Sequence, residues 1–238
     1  MRPMRGMGGF GGGMGLESMA AKLAVALVAG SVLFQLTQSQ LGAVLLLLPY
    51  NLRESFLLWQ PFTYGFIETS PMGVIFGGII TYSIGGSLEQ TFGPRKLLAV
   101  ALGCTALAGI LTVALSIVYP GVHTAYPGGN VMTSVLWVAY GLSFGRGQTN
   151  FWGIPVTGNV FALIGAGFVI LQGVFAGFSA IIPALFALAL TYGYVQGGSP
   201  RKLWLRMQHW RMQRQLRDRS RHLRDVSKDR RDRDQFLN

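Results

Sequence analysis

The residues that could do chemistry in this sequence are few and far apart. Its three histidines are His123, His209 and His222, and its one cysteine is Cys104. Serine catalysis needs a base to take the hydroxyl proton and donors to hold the oxyanion. Ser134 with His123, from the preceding stretch YPGVHTAYPGG, is a geometrically conceivable pair, although a lone loop histidine is more often solvated than catalytic. Lysine offers no substitute base, because none lies between Lys22 and Lys96 or between Lys96 and Lys202. Cys104 and His123 have no companions at metal-ligand spacing, so neither a metal nor a cofactor is expected. A single cysteine also excludes an internal disulfide.

Any such groups would be positioned by an apolar body. Half of the 238 residues are hydrophobic and 12% are charged, against about 25% charged in ordinary soluble proteins. A hydrocarbon core of about 30 Å needs about 20 helical residues, with about 17 as the lower limit. The apolar runs 20–37, 72–88 and 97–118 meet that length. Residues 129–144, 160–175 and 180–195 form runs of sixteen, short enough to require shelter in a bundle or a locally thinned bilayer. A further greasy stretch, 41–48, stops at Pro49. Six such runs with almost no charge between them predict an all-α, polytopic transmembrane helix bundle rather than buried helices of a soluble domain.

The net charge of +11 sits mostly at one end. Thirteen of the twenty Lys and Arg, and five of the nine acids, lie from Arg201 onward, giving that tail +8 and everything before it +3. With the N-terminus in the cytoplasm, Arg2, Arg5, Lys22, Arg95, Lys96, Arg146 and the tail all fall inside, and only Arg53 falls outside. Both termini are therefore expected in the cytoplasm, at a bacterial-type plasma (inner) membrane. Residues 1–15 read as a disordered Met/Gly-rich leader, 16–198 as the membrane domain and 199–238 as a basic tail. Within 201–216, Leu203, Met207 and Trp210 share one helical face beside Trp204, the composition of an interfacial helix on anionic lipid headgroups. The late charges have no aromatic stacking platform among them, which weighs against a nucleic-acid partner.

The segment WQPFTYGFIETSPMGVIFGGIITYSIGGSLEQTFGPRK, residues 59–96, resembles the rhomboid family of intramembrane serine proteases. The shared features are Trp-Gln and Thr-Tyr before the second span, and Gly85, Glu89, Gly93, Arg95 and Lys96 at its cytoplasmic end. Physically, Gly85 and Gly86 permit close helix approach, Glu89 can bond loop amides or Arg95, and Gly93-Pro94 turns the chain. The resemblance implies a rhomboid-like six-helix core. It also implies a Ser–His dyad whose serine opens span four, whose histidine lies in span six, and whose oxyanion donors lie in span two.

Position by position, those chemical groups are replaced. Glu68, Gly73 and Gly77 fall where the family has His, His and Asn. In YPGGNVMTSVLWVAYG, Asn130 falls at the nucleophile, and Ile182 falls near the histidine of span six. Ser134 lies one helical turn beyond Asn130 and Ser179 opens span six. Gly73, Gly77, Gly78, Gly128 and Gly129, and the pair Ala189 and Gly193, are candidates for close helix packing. The resemblance therefore implies a pseudoprotease that binds or routes the transmembrane segments of other membrane proteins within the lipid bilayer. The alternatives are an active intramembrane serine protease using Ser134 and His123, or a transporter, which usually carries ionisable residues inside its spans.

Overall fold

A computed structural model describes residues 17–37, 44–50, 57–119, 122, 124–151 and 154–197. The chain divides into two units, Met1–Gln196 and Gly197–Asn238, and the described residues belong to the first except for Gly197. The leader, His123, His209, His222 and the interfacial helix expected at 201–216 lie outside the described residues.

Six long helices account for the six apolar runs. They are α1 (Met19–Leu36), α2 (Pro71–Phe92), α3 (Pro94–Val118), α4 (Gly129–Phe144), α5 (Gly158–Ala176) and α6 (Phe178–Gln196). All but α4 are long and apolar enough to cross a membrane. Local chemistry sets their ends. The Ser18 hydroxyl accepts the Ala21 amide at the start of α1, and Ser70 accepts the Gly73 amide ahead of Pro71 at the start of α2. Gly93 takes φ +83°, where a side chain would be strained, and Pro94 follows it, so the chain leaves α2 and enters α3 in one residue. The helices α5 and α6 reach nineteen residues each, longer than the sixteen-residue runs that hydropathy marks, because Gly158, Asn159, Phe178 and Ser179 join their first turns and Ala176 and Gln196 their last.

The helices run up and down. Contacts join the start of α1 to the end of α2, and the end of α4 to the start of α5, defining one end of the bundle. The starts of α2 and α4 and the end of α5 meet at the other. The sixteen-residue α4 is about 24 Å long at ~1.5 Å per residue, and it survives because it is the centre. Ten of its residues are buried, among them Met132, Val135 and Leu136, and it packs on α2, α5 and α6. Lipid tails are as apolar as leucine, so association here depends on close packing and hydrogen bonds. Gly141 and Gly158 supply the closest approach. A Cβ on Gly141 would lie 2.5 Å from the Ala162 nitrogen and 2.6 Å from the Gly158 oxygen.

The all-α bundle expected from the sequence is what forms, with one small addition: β1 (Gln148–Phe151) pairs antiparallel with β2 (Ile154–Thr157) in the connection between α4 and α5. The Gly158 amide closes this hairpin on the Gly147 carbonyl at 3.0 Å. One expectation is corrected: Ala189 and Gly193 do not form a packing pair. Ala189 is exposed and Gly193 faces open space, while Ala184, Ala187 and Thr191 carry the buried face of α6.

Candidate functional site

The block before α2 folds as a short helix, Gln60–Thr63, running into a 3-10 turn, Tyr64–Phe66, and its side chains bind main chain. The Trp59 indole donates to the Val44 carbonyl, the Thr63 hydroxyl to the Leu45 carbonyl, and the Gln60 side-chain oxygen accepts the Leu48 amide. Leu47 and Tyr126 exchange both backbone hydrogen bonds, tying this block to the segment leading into α4. Tyr64 is fully buried and its hydroxyl donates to the Thr105 carbonyl at 2.6 Å. Its ring lies where a Gly128 side chain would be, and its carbonyl accepts the Gly128 amide. Gly128 is thus required by an aromatic ring, not by a neighbouring helix as the sequence pattern suggests.

This arrangement frames a cleft of about 220 Å³ between α2, α4 and α5. Five of the replaced or fallback positions, Glu68, Gly73, Gly77, Asn130 and Ser134, line it together. Ile182 does not line it; it is half-buried against the core. Phe76, Ile80, Trp137, Phe168 and Val169 supply apolar walls. Asn130 donates through Nδ2 to the Gln172 side-chain oxygen at 2.9 Å, linking α4 to α5 across the cleft. The Asn130 Oδ1 is buried and has no hydrogen-bond partner. The Ser134 hydroxyl donates to the Asn130 carbonyl at 2.8 Å. A serine in that geometry is a helix-bonded hydroxyl, and His123, its fallback partner, lies outside the described residues. Among those residues no three metal-ligating side chains cluster.

Glu68 closes one end of the cleft and is buried. Its own amide donates to Ser31, whose hydroxyl donates to the Leu27 carbonyl. Its carboxyl accepts the Thr69 and Ser70 amides at 3.0 and 3.3 Å and a further bond from the Asn130 amide in the first turn of α4. Burial pushes this carboxyl above the usual range, with the amide donors pulling the other way. A raised folded-state value means that stability is full below the unfolded carboxyl pKa of about 4.3 and declines as pH rises through the folded value. The melting temperature of the protein in detergent is therefore expected to fall as pH rises through the acidic range. Glu68→Gln, which keeps a neutral acceptor, is expected to flatten that slope; an equal slope in both proteins would show that Glu68 is not its source.

At the other end of the bundle Glu89 does a similar task. Its two carboxyl oxygens accept the Met19 and Ala20 amides at 3.0 and 2.8 Å, so the last turn of α2 caps the first turn of α1. The partner amides belong to a helix start rather than to a loop, and Arg95 is not among the partners of Glu89. Gly85 lets α1 in, with a built Cβ in ordinary contact with Ala20 at 3.4 Å.

The residue that sequence reasoning passed over is Gln172. Asn159 and Gln172 are the two amide side chains in α5, and an amide in a membrane helix carries a desolvation cost unless bonded. That cost is the signal that could have marked it. Trp137 was missed because aromatic residues at helical spacing look like ordinary core; its indole donates to the Phe161 carbonyl at 3.0 Å and its ring fills the space left by Gly165.

Fold and cleft together define a multi-pass, all-helical integral membrane protein. The chain belongs to the eukaryotic integral membrane protein family DUF1751, whose model matches residues 21–195. No curated protein matches it. The family's eukaryotic description does not support the bacterial-type plasma membrane expected from the charge pattern, and that expectation is withdrawn.

Proposed function

We propose that the protein is a rhomboid-like pseudoprotease whose cleft binds or routes transmembrane segments of other membrane proteins. The observation that carries this reading is Asn130. It occupies the nucleophile position of the resemblance, and its amide is engaged with Gln172 inside an aromatic-walled cleft. An amide cannot serve as an acyl-transfer nucleophile, whereas small residues such as Gly73 and Gly77 beside Phe76 and Phe168 suit contact with an apolar helix. Lys22, Arg95, Lys96 and Arg146 fall at the Glu89 end of the bundle, which supports placing that end in the cytoplasm. The charge of the tail supports an anionic lipid surface as its partner.

A serine-directed fluorophosphonate is expected to leave the purified protein unlabelled, and a photo-crosslinker in place of Phe168 is expected to capture a reconstituted transmembrane peptide. Labelling that vanishes in Ser134→Ala would instead establish the active protease with a Ser134–His123 pair. Reporter fusions after Gly121 and Gly197 are expected on opposite sides of the membrane, outside and inside respectively.

A further inference from the structure

We infer that the cleft selects transmembrane segments carrying an asparagine or glutamine, read by the side-chain amides of Asn130 and Gln172. The inference rests on the client-binding reading above and adds the chemistry of the client. The hydrogen bond from Asn130 Nδ2 to Gln172 Oε1 uses one donor and one acceptor of the pair. It leaves the buried Asn130 Oδ1 without a partner, and leaves Gln172 Nε2 without one among the described residues. The pair thus keeps one acceptor and one donor unspent, the complement of the donor and acceptor of a third carboxamide. A buried carbonyl oxygen is costly to leave unpaired, so a client that supplies an N–H relieves a penalty that an all-apolar client leaves in place. The apolar walls around the pair are Phe76, Ile80, Trp137, Phe168 and Val169, and the Glu68 carboxyl, which also lines the cleft, is already engaged by the Thr69, Ser70 and Asn130 amides. Ser134 and Thr133 are already bonded to the Asn130 and Gly129 carbonyls. A hydroxyl client could satisfy Oδ1 alone and is expected to rank between the carboxamide and the apolar client.

The test uses the full chain in bilayer nanodiscs and a fluorescent, leucine-rich transmembrane peptide with Asn, Ser or Leu at its centre. Polar contacts between membrane helices contribute modestly, so the Asn peptide is expected to bind about 3- to 10-fold more tightly than the Leu peptide. The preference, read as the ratio of Asn-peptide to Leu-peptide affinity within each variant, should fall to about one in Gln172→Leu, whose side chain is exposed, and in Asn130→Leu. Equal binding of the Asn and Leu peptides to the native chain, or a preference that survives both substitutions, would overturn this inference and leave client binding standing. Failure of all three peptides to bind would overturn client binding itself and this inference with it.

Discussion

Gly141→Ala should be among the most damaging single-methyl insertions in the bundle. Its Cβ would lie 2.5 Å from the Ala162 nitrogen and 2.6 Å from the Gly158 oxygen. Both obstacles are backbone, so no side chain can rotate away, and α5 must move off α4 as a body. Overpacking of this kind costs about 1–3 kcal/mol, and the upper end is expected here because α4 is the helix that the others share. Gly167→Ala is the matched control. It lies in α5 with nothing within 4 Å of its added methyl, and alanine in a helix gains about 0.5–1 kcal/mol over glycine. Thermal unfolding in one detergent should separate the two variants in opposite directions; equal melting temperatures would refute the close α4–α5 contact.

Removing the carboxyl of Glu89 should be the next largest loss. Two amides at the start of α1 lose their acceptors in Glu89→Ala. Hydrogen bonds to a charged group contribute about 1.5–3 kcal/mol each, so a loss of about 3 kcal/mol is expected after partial replacement by water. Ser18 still holds the Ala21 amide, so α1 should fray at its first turn rather than leave the bundle. Glu89→Gln, with one oxygen, should lose roughly half as much. Limited proteolysis ahead of Met19 would read the fraying directly, with the exposed Glu17→Ala as the silent control. Unchanged cleavage in Glu89→Ala would show that the cap is not what anchors α1.

The positions of the six helices are legible in the sequence because a hydrocarbon solvent leaves little choice. Each crossing needs an apolar run, and few charges interrupt them. Gly93-Pro94 and Glu89 were legible too, although the sequence could not show that the Glu89 partners lie 69 and 70 residues away in α1. The convergence of Glu68, Gly73, Gly77, Asn130 and Ser134 on one cleft was visible only through a resemblance. Gln172 was not, because its partner lies 42 residues off and a lone amide has no spacing to betray it. Nor was the Gly141–Gly158 contact, since a chain with 33 glycines does not announce which of them touch. The hairpin escaped because four-residue strands between two helices leave too short a pattern to stand out.

Among the described residues of the six helices, the charged side chains are Lys22, Glu89, Arg95 and Lys96, all within a turn or so of one end of the bundle. Glu89 is held against the positive end of the α1 dipole, and none of these four lies at the middle of its helix. Membrane voltage works on a protein only through charges that move within its field, at about 2.3 kcal/mol per elementary charge per 100 mV. With none of these four placed to make that journey, depolarising the membrane is expected to leave the occupancy of the cleft by a given client unchanged.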